Sequence, residues 1–331
     1  MKDLERPEAI VDSAGGPREL EGIHVDSRFR RLLATAIATL ALLAALPLTA
    51  SATYPGSADG RLAYGMRVDG NVDIYSSLAN GQATQRLTTA PGFDACAAYS
   101  ADGKQIAYCS DASGAFEIWT MRANGTHRTQ LTDLGEFSTF PDISPDGAHV
   151  AFNVSVAEGP DDIYSIRSDG TGLVQLTDSP DLDLYPAWSP DGSRIVFISY
   201  RTGTGQVWVM DADGSHQTQL TFDSPNKDQV PDWSPDGQRI AYSADMPDGS
   251  SQIVIIDADG SNPFQVTADQ AVNFGTAWSP DGAQIAFVKL ESNGTRDVWI
   301  IGTDGTGAHR LAPGAGVQFV AAWQPRGDRL P

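Results

Sequence analysis

Six polar residues recur at one place in this chain, and three of them are carboxylates that together could hold a cation. Counting five back from a repeated tryptophan (Trp188, Trp233, Trp278 and Trp323, with Tyr99 and Ile143 as its equivalents) finds Asp94, Ser138, Asp183, Asp228, Asn273 and Gln318. Carboxylates brought together would bind a hard cation such as calcium through oxygen ligands. They would equally bind a cationic side chain from a partner. A third use is local: Asp caps a turn by accepting hydrogen bonds from nearby backbone N–H groups. Glu136, Asp142, Asp181 and Asp232 lie close by in sequence and would deepen the negative potential.

Other reactive types are fewer. Asp102, Asp146, Asp191, Asp236 and Asp281 each sit in a Ser-Pro-Asp-Gly or Ala-Asp-Gly turn, and one in every repeat reads as turn construction. His127, His149, His216 and His309 show no Ser-His-Asp or metal-ligand grouping, so no catalytic residues are assigned. Cys96 and Cys109 are the two cysteines and flank one hairpin, which would set 96 opposite 109. A disulfide there is chemically allowed in an exported protein.

A repeat must position these groups. The Asp-Gly pairs end at Gly60, Gly103, Gly147, Gly192, Gly237 and Gly282, with steps of 43, 44, 45, 45 and 45 residues. Three further marks keep the same beat. One is an apolar run such as Ile163-Tyr164, the second a turn such as Asp169-Gly170, and the third a Gln-Leu-Thr such as Gln175 to Thr177. Each unit therefore holds four short segments, rich in β-branched and aromatic residues and too short for helices. Four strands per unit, repeated six times, predict an all-β, six-bladed β-propeller. The first unit lacks its own first strand, and the C-terminal Val320 to Pro325 supplies one. The ring is then closed by the C-terminal strand completing the first blade. The six polar positions would encircle one mouth of its channel.

The run P-x-W-S-P-D-G-x-x-I-A-F, followed by D-I-Y, D-G and Q-L-T, resembles the propeller repeat of the TolB family over about residues 56–330. That resemblance implies a periplasmic protein whose propeller binds a peptidoglycan-associated lipoprotein. TolB proteins carry an α/β domain ahead of the propeller. Only a few residues separate Ala52 from the first repeat here, so a stand-alone propeller is expected.

Residues 1–52 read as an N-terminal extension and export signal, with the signal core at 28–52 and the propeller at 53–331. Arg28, Arg30 and Arg31 precede the apolar run Leu32 to Leu46, and Ala50-Ser51-Ala52 is a cleavage site. The run is short for a membrane span, so the chain is expected to be cleaved after Ala52 and released, periplasmic or secreted, with no stable membrane insertion. The net charge of -20 excludes a nucleic-acid partner, because phosphate backbones would be repelled. The expectation is a monomeric, non-enzymatic scaffold that binds a protein or peptide of the cell envelope at the channel mouth. No cofactor is expected, with calcium the one candidate. The alternatives are a propeller lyase or hydrolase, or a cation-dependent carbohydrate binder, acting on envelope polysaccharide.

Overall fold

The computed structural model describes residues 58–156, 159–222, 228–311 and 317–326; the expected export signal and cleavage site fall outside them. The chain opens with β1 (Ala58–Val68), β2 (Asn71–Leu78) and β3 (Gln85–Arg86). β4 (Asp94–Tyr99), β5 (Gln105–Ser110), β6 (Glu117–Arg122) and β7 (Thr129–Gln130) form an antiparallel sheet in that order. β8 (Phe137–Ile143), β9 (His149–Ser155), β10 (Asp161–Arg167) and β11 (Val174–Gln175) form another. β12 (Asp183–Trp188), β13 (Arg194–Ser199), β14 (Gln206–Asp211) and β15 (Thr218–Gln219) follow the same plan. So do β16 (Asp228–Trp233), β17 (Arg239–Asp245), β18 (Ser251–Asp257) and β19 (Phe264–Gln265). The last full set is β20 (Val272–Trp278), β21 (Gln284–Leu290), β22 (Arg296–Gly302) and β23 (His309–Arg310), tied to the set before it by one parallel pair, Ser251 with Val272. β24 (Val317–Arg326) returns to pair antiparallel with β1, so both ends of the described chain share a sheet with β2 and β3.

Each sheet is buried at its first strand and wet at its last. β4 and β12 are buried along their whole length, whereas the two residues of β3 and of β11 are exposed. The first strands lie side by side: β4 beside β8, β8 beside β12, and onward to β24, which touches both β20 and β4. Their aromatic ends fill the seams between sheets. Trp188 packs with Ala151, Ile163 and Leu176 of the preceding sheet and with Ile195 and Phe197 of its own. Trp278 does the same with Ala241, Ile253 and Val266. Burying one large aromatic, about 150–250 Å², stabilises by roughly 4–6 kcal/mol before entropy is counted.

The hairpin turns follow the residues that built the repeat. In the turn at Ser189, the hydroxyl donates to Asp191 at 2.6 Å, and Asp191 accepts the Ser193 N–H at 3.0 Å. The Ser189 hydroxyl in turn accepts the Arg194 N–H at 2.9 Å. Gly192 closes the turn at φ +71°, a conformation that glycine adopts at no steric cost. The same bonds recur around Asp102, Asp146, Asp236 and Asp281, so these carboxylates build turns.

Every complete sheet also carries a β-bulge in its first strand. Pairing slips between Ala95 and Ala98, Thr139 and Asp142, Leu184 and Ala187, Gln229 and Asp232, and Phe274 and Ala277. The bulged residue has a left-handed backbone: Cys96 at φ 57°, Phe140 at 55°, Tyr185 at 58°, Val230 at 45° and Gly275 at 65°. Four of these are not glycine, and a β-branched valine there is strained. The bulge re-aims side chains toward the neighbouring sheet. Phe140 and Tyr185 thus meet edge to face, with centroids 4.6 Å apart. One expectation is corrected by this bulge: Cys109 pairs opposite Ala95, not Cys96. The disulfide between Cys96 and Cys109 is nonetheless present, with Cα atoms 5.5 Å apart, because it reaches diagonally from the bulge.

Candidate partner-binding face

The six polar positions all fall at the start of a first strand, one strand length from the Ser-Pro-Asp-Gly turns. Asp94, Ser138, Asp183, Asn273 and Gln318 are buried; the side chain of Asp228 lies outside the described residues. The partners found for them belong to their own sheet or the one before. Asn273 donates to Asp269 at 2.9 Å and to Gln252 at 3.3 Å. Asp183 accepts from Arg201 at 2.8 Å. One of these carboxylates therefore meets a basic group. Arg201 rises from the turn after β13, bridges Asp183, and lies over the Trp208 ring at 4.6 Å.

A second layer, which the sequence reading did not assign, explains what the six contact. The threonine of each Gln-Leu-Thr accepts a backbone N–H from its own sheet. Thr88 takes that of Ile74 at 2.9 Å, and Thr132, Thr177, Thr221 and Thr267 take those of Ile118, Ile163, Val207 and Ile253 at 2.8–2.9 Å. Several of these hydroxyls donate onward to the acid or amide that starts the third strand. Thr132 reaches Glu117 at 2.5 Å, Thr177 reaches Asp162 at 3.0 Å and Thr267 reaches Gln252 at 2.8 Å. The recurring Thr and the residue before each Ile-Tyr pair were the available signal. The layer binds sheet to sheet, which is the work most of the six positions share.

Burial raises several of these carboxyls. Asp94 and Asp183 are both pushed up by burial, opposed by hydrogen bonds from Ser110 and Thr88 and from Ser199 and the Arg201 charge. Asp162 is pushed up to about 6, first by burial and then by the charge of Asp183, against the bonds from Thr177 and Gln175. Asp142 and Asp232 sit further along, fully buried on β8 and β16. Asp142 accepts the Trp188 N–H at 2.7 Å and Asp232 the Trp278 N–H at 2.8 Å, each across a seam. Burial holds the Asp232 carboxyl well above its ordinary value, with the Asp142 charge adding to it and the Trp278 N–H opposing.

What remains accessible at this end of the strands is mixed. Phe93, Phe137, Leu182 and Val272 are half-buried just before the polar positions, and Val317 is exposed. Phe93 stands edge to face with Phe116 and Phe319 at 5.6 and 5.7 Å, giving an aromatic arc beneath the surface. Arg67 is exposed beside it. At the opposite end a cavity of about 500 Å³ opens between two sheets, lined by Pro145, His149, Arg167, Val174 and Trp188. Its carboxylates, Asp146, Asp191 and Asp213, are already engaged by their own turns. Among the described residues no three His, Cys, Asp or Glu side chains come together as a metal-ligand set.

Comparison with known proteins bears on the whole chain. The TolB beta propeller domain matches three times, at residues 48–155, 127–244 and 224–331. The crystal structure of TolB from Acinetobacter baumannii superposes with a TM-score of 0.73 at 23% identity, over 91% of this chain and 73% of that one. A protein assigned as TolB from Agrobacterium tumefaciens gives 0.63 at 22% identity, over 80% of this chain and 91% of that one. A chain of a nidogen/laminin complex gives 0.66 at 11% identity, over 80% of this chain and 98% of that one. No curated protein sequence is significantly similar to this chain. At these identities the superpositions speak for the fold, and the three tandem matches carry the family: the chain belongs to the TolB beta propeller domain family.

Proposed function

We propose that this protein is an exported, non-enzymatic propeller that binds a protein or peptide of the cell envelope at the mouth where the first strands begin. The single observation that carries the reading is that mouth: half-buried Phe93, Phe137, Leu182 and Val272, with exposed Val317 and Arg67, gathered at one end of the seams. Apolar side chains left partly open in a group favour a macromolecular partner. Family membership and the resemblance to TolB support it, and a chain of a nidogen/laminin complex shares the fold. The pairing of β24 with β1, and the contact of β24 with both β20 and β4, support a six-bladed ring closed by the C-terminal strand. In this reading the protein is monomeric, periplasmic or secreted, and cleaved after Ala52. Among the described residues no helix is long and apolar enough to cross a membrane.

Calcium enters the proposal as a condition to be varied, since Asp183 keeps one carboxylate oxygen buried without a partner. The test is a pull-down from envelope extract with the full chain as bait, with and without calcium. A captured protein that the mouth variant Val317→Asp fails to retain supports the reading. Capture of polysaccharide in place of protein, or retention unchanged by Val317→Asp, contradicts it. Deleting Val317 to Pro331 tests the ring: the truncated chain should lose cooperative melting, and a melt like that of the full chain would contradict closure.

A further inference from the structure

We propose that the cavity between the β8–β11 and β12–β15 sheets binds a small guanidinium compound that carries a carboxylate, as free arginine does, with the guanidinium seated beside Trp188 where other seams of this chain place an arginine of their own. The site lies at the opposite end of the strands from the mouth and does not rest on the reading of that mouth.

The chain contains two templates for it. Arg194, the first residue of β13, reaches over the ring of Trp233 in the next sheet, its guanidinium carbon 4.7 Å from the centroid. Arg239, the first residue of β17, lies over Trp278 in the same way at 4.9 Å. The corresponding first residue of β9 is His149, and the tryptophan across its seam is Trp188. An imidazole is shorter than an arginine side chain. A cavity of about 500 Å³ opens at this seam, with His149 and Trp188 both in its wall. In the next seam, where Arg194 is in place, the hollow is about 250 Å³ and Trp233 takes no part in its wall. Trp188 keeps 4% of its surface accessible, whereas Trp233 and Trp278 keep none beneath their arginines. The larger cavity falls in the size range of small-molecule sites, about 300–1,000 Å³.

The walls supply the anions. Asp146, Asp191 and Asp213 line the cavity, and the hydroxyls of Ser144, Ser189 and Ser215 hold all three carboxyls below their ordinary value. Each makes its turn through Oδ1. Asp102 shows what the second oxygen of such a turn can do. Its Oδ1 accepts the Ser100 hydroxyl and the Lys104 N–H, while its Oδ2 accepts the Lys104 ammonium at 3.0 Å. A guanidinium held between Trp188 and these carboxylates gains both ring attraction and charge-assisted hydrogen bonds. The other end of the ligand meets Arg167, which lines the cavity, is exposed, and is the register partner of His149 across β9 and β10. Its guanidinium donates to the Thr171 hydroxyl at 3.5 Å, so most of its N–H edge remains for a carboxylate.

The test is isothermal titration calorimetry of the full chain with arginine, citrulline, lysine and agmatine. Citrulline keeps the shape of arginine without the charge, and agmatine keeps the guanidinium without the carboxylate. Arginine should bind at least tenfold more tightly than citrulline and more tightly than lysine, whose ammonium is a point charge. Arg167→Gln should remove the advantage of arginine over agmatine. His149→Arg should fill the cavity from within, so that arginine no longer binds and the melting temperature rises. His149→Ala, which leaves the space open, should still bind. Equal binding of arginine and citrulline, binding that survives His149→Arg, or no heat up to about 10 mM arginine would each overturn the site. A His149→Arg chain that melts lower than the wild type would remove the template on which the site is built.

Discussion

The side-chain oxygen of Gln318 accepts the backbone N–H of Val298 at 2.8 Å, across the boundary between β24 and β22. In five other sheets a threonine of the same sheet fills that role. The sixth repeat has Ala312 where the threonine would stand, and Gln318 substitutes from the next strand. Gln318→Ala should leave a buried donor unmet and destabilise the protein by about 1–3 kcal/mol in denaturant unfolding. Adding Ala312→Thr to that variant should recover part of the loss. An unchanged midpoint in Gln318→Ala would contradict the role.

Asp232 offers a sharper pair of substitutions. Asp232→Ala removes the acceptor for the buried Trp278 N–H and should lower the melting temperature. Asp232→Asn keeps a carbonyl oxygen and removes a carboxyl that burial already holds well above its ordinary value. At pH 7 it should melt at the wild-type temperature or above it. If the Asn variant melts as low as the Ala variant, the charge itself is what matters there.

Asp162 sets a pH dependence. Its carboxyl is pushed up to about 6 in the folded protein, above its unfolded value, so the folded state binds the extra proton between pH 4 and 6. Stability from this group is greatest below pH 4 and falls as pH rises through 6. Asp162→Asn should flatten that slope in melts across pH 4–7. A wild-type and variant with parallel curves would contradict the assignment.

The disulfide makes a chemical prediction. Denatured, unreduced protein should show no thiol reactive at Cys96 or Cys109, because the two are joined. Reduction should cost about 2–4 kcal/mol, the usual range for a short loop. Two titratable thiols before reduction would contradict it.

The four-strand unit was legible because its punctuation is local. Ser-Pro-Asp-Gly needs only neighbours to form its turn, and Asp191 with Ser189 shows every bond inside six residues. The bulges were not legible. A one-residue slip leaves little mark in residue type, and among the five described only Gly275 announces its backbone. That slip is why Cys109 faces Ala95. The six polar positions were found by counting, but their surroundings were not. Arg201 is 18 residues from Asp183 and reaches it only through the fold of a hairpin. Arg67 and Arg296 are far apart in sequence and meet at Phe319 because adjoining sheets bring them there.

The most direct test of the account is site-specific photo-crosslinking in the envelope. A benzophenone amino acid at Val317 samples the proposed mouth, and one at Ala148 samples the turns at the opposite end of the strands. The account predicts that Val317 crosslinks a discrete protein and Ala148 does not. A protein captured from Ala148 alone, or from neither position, would contradict it.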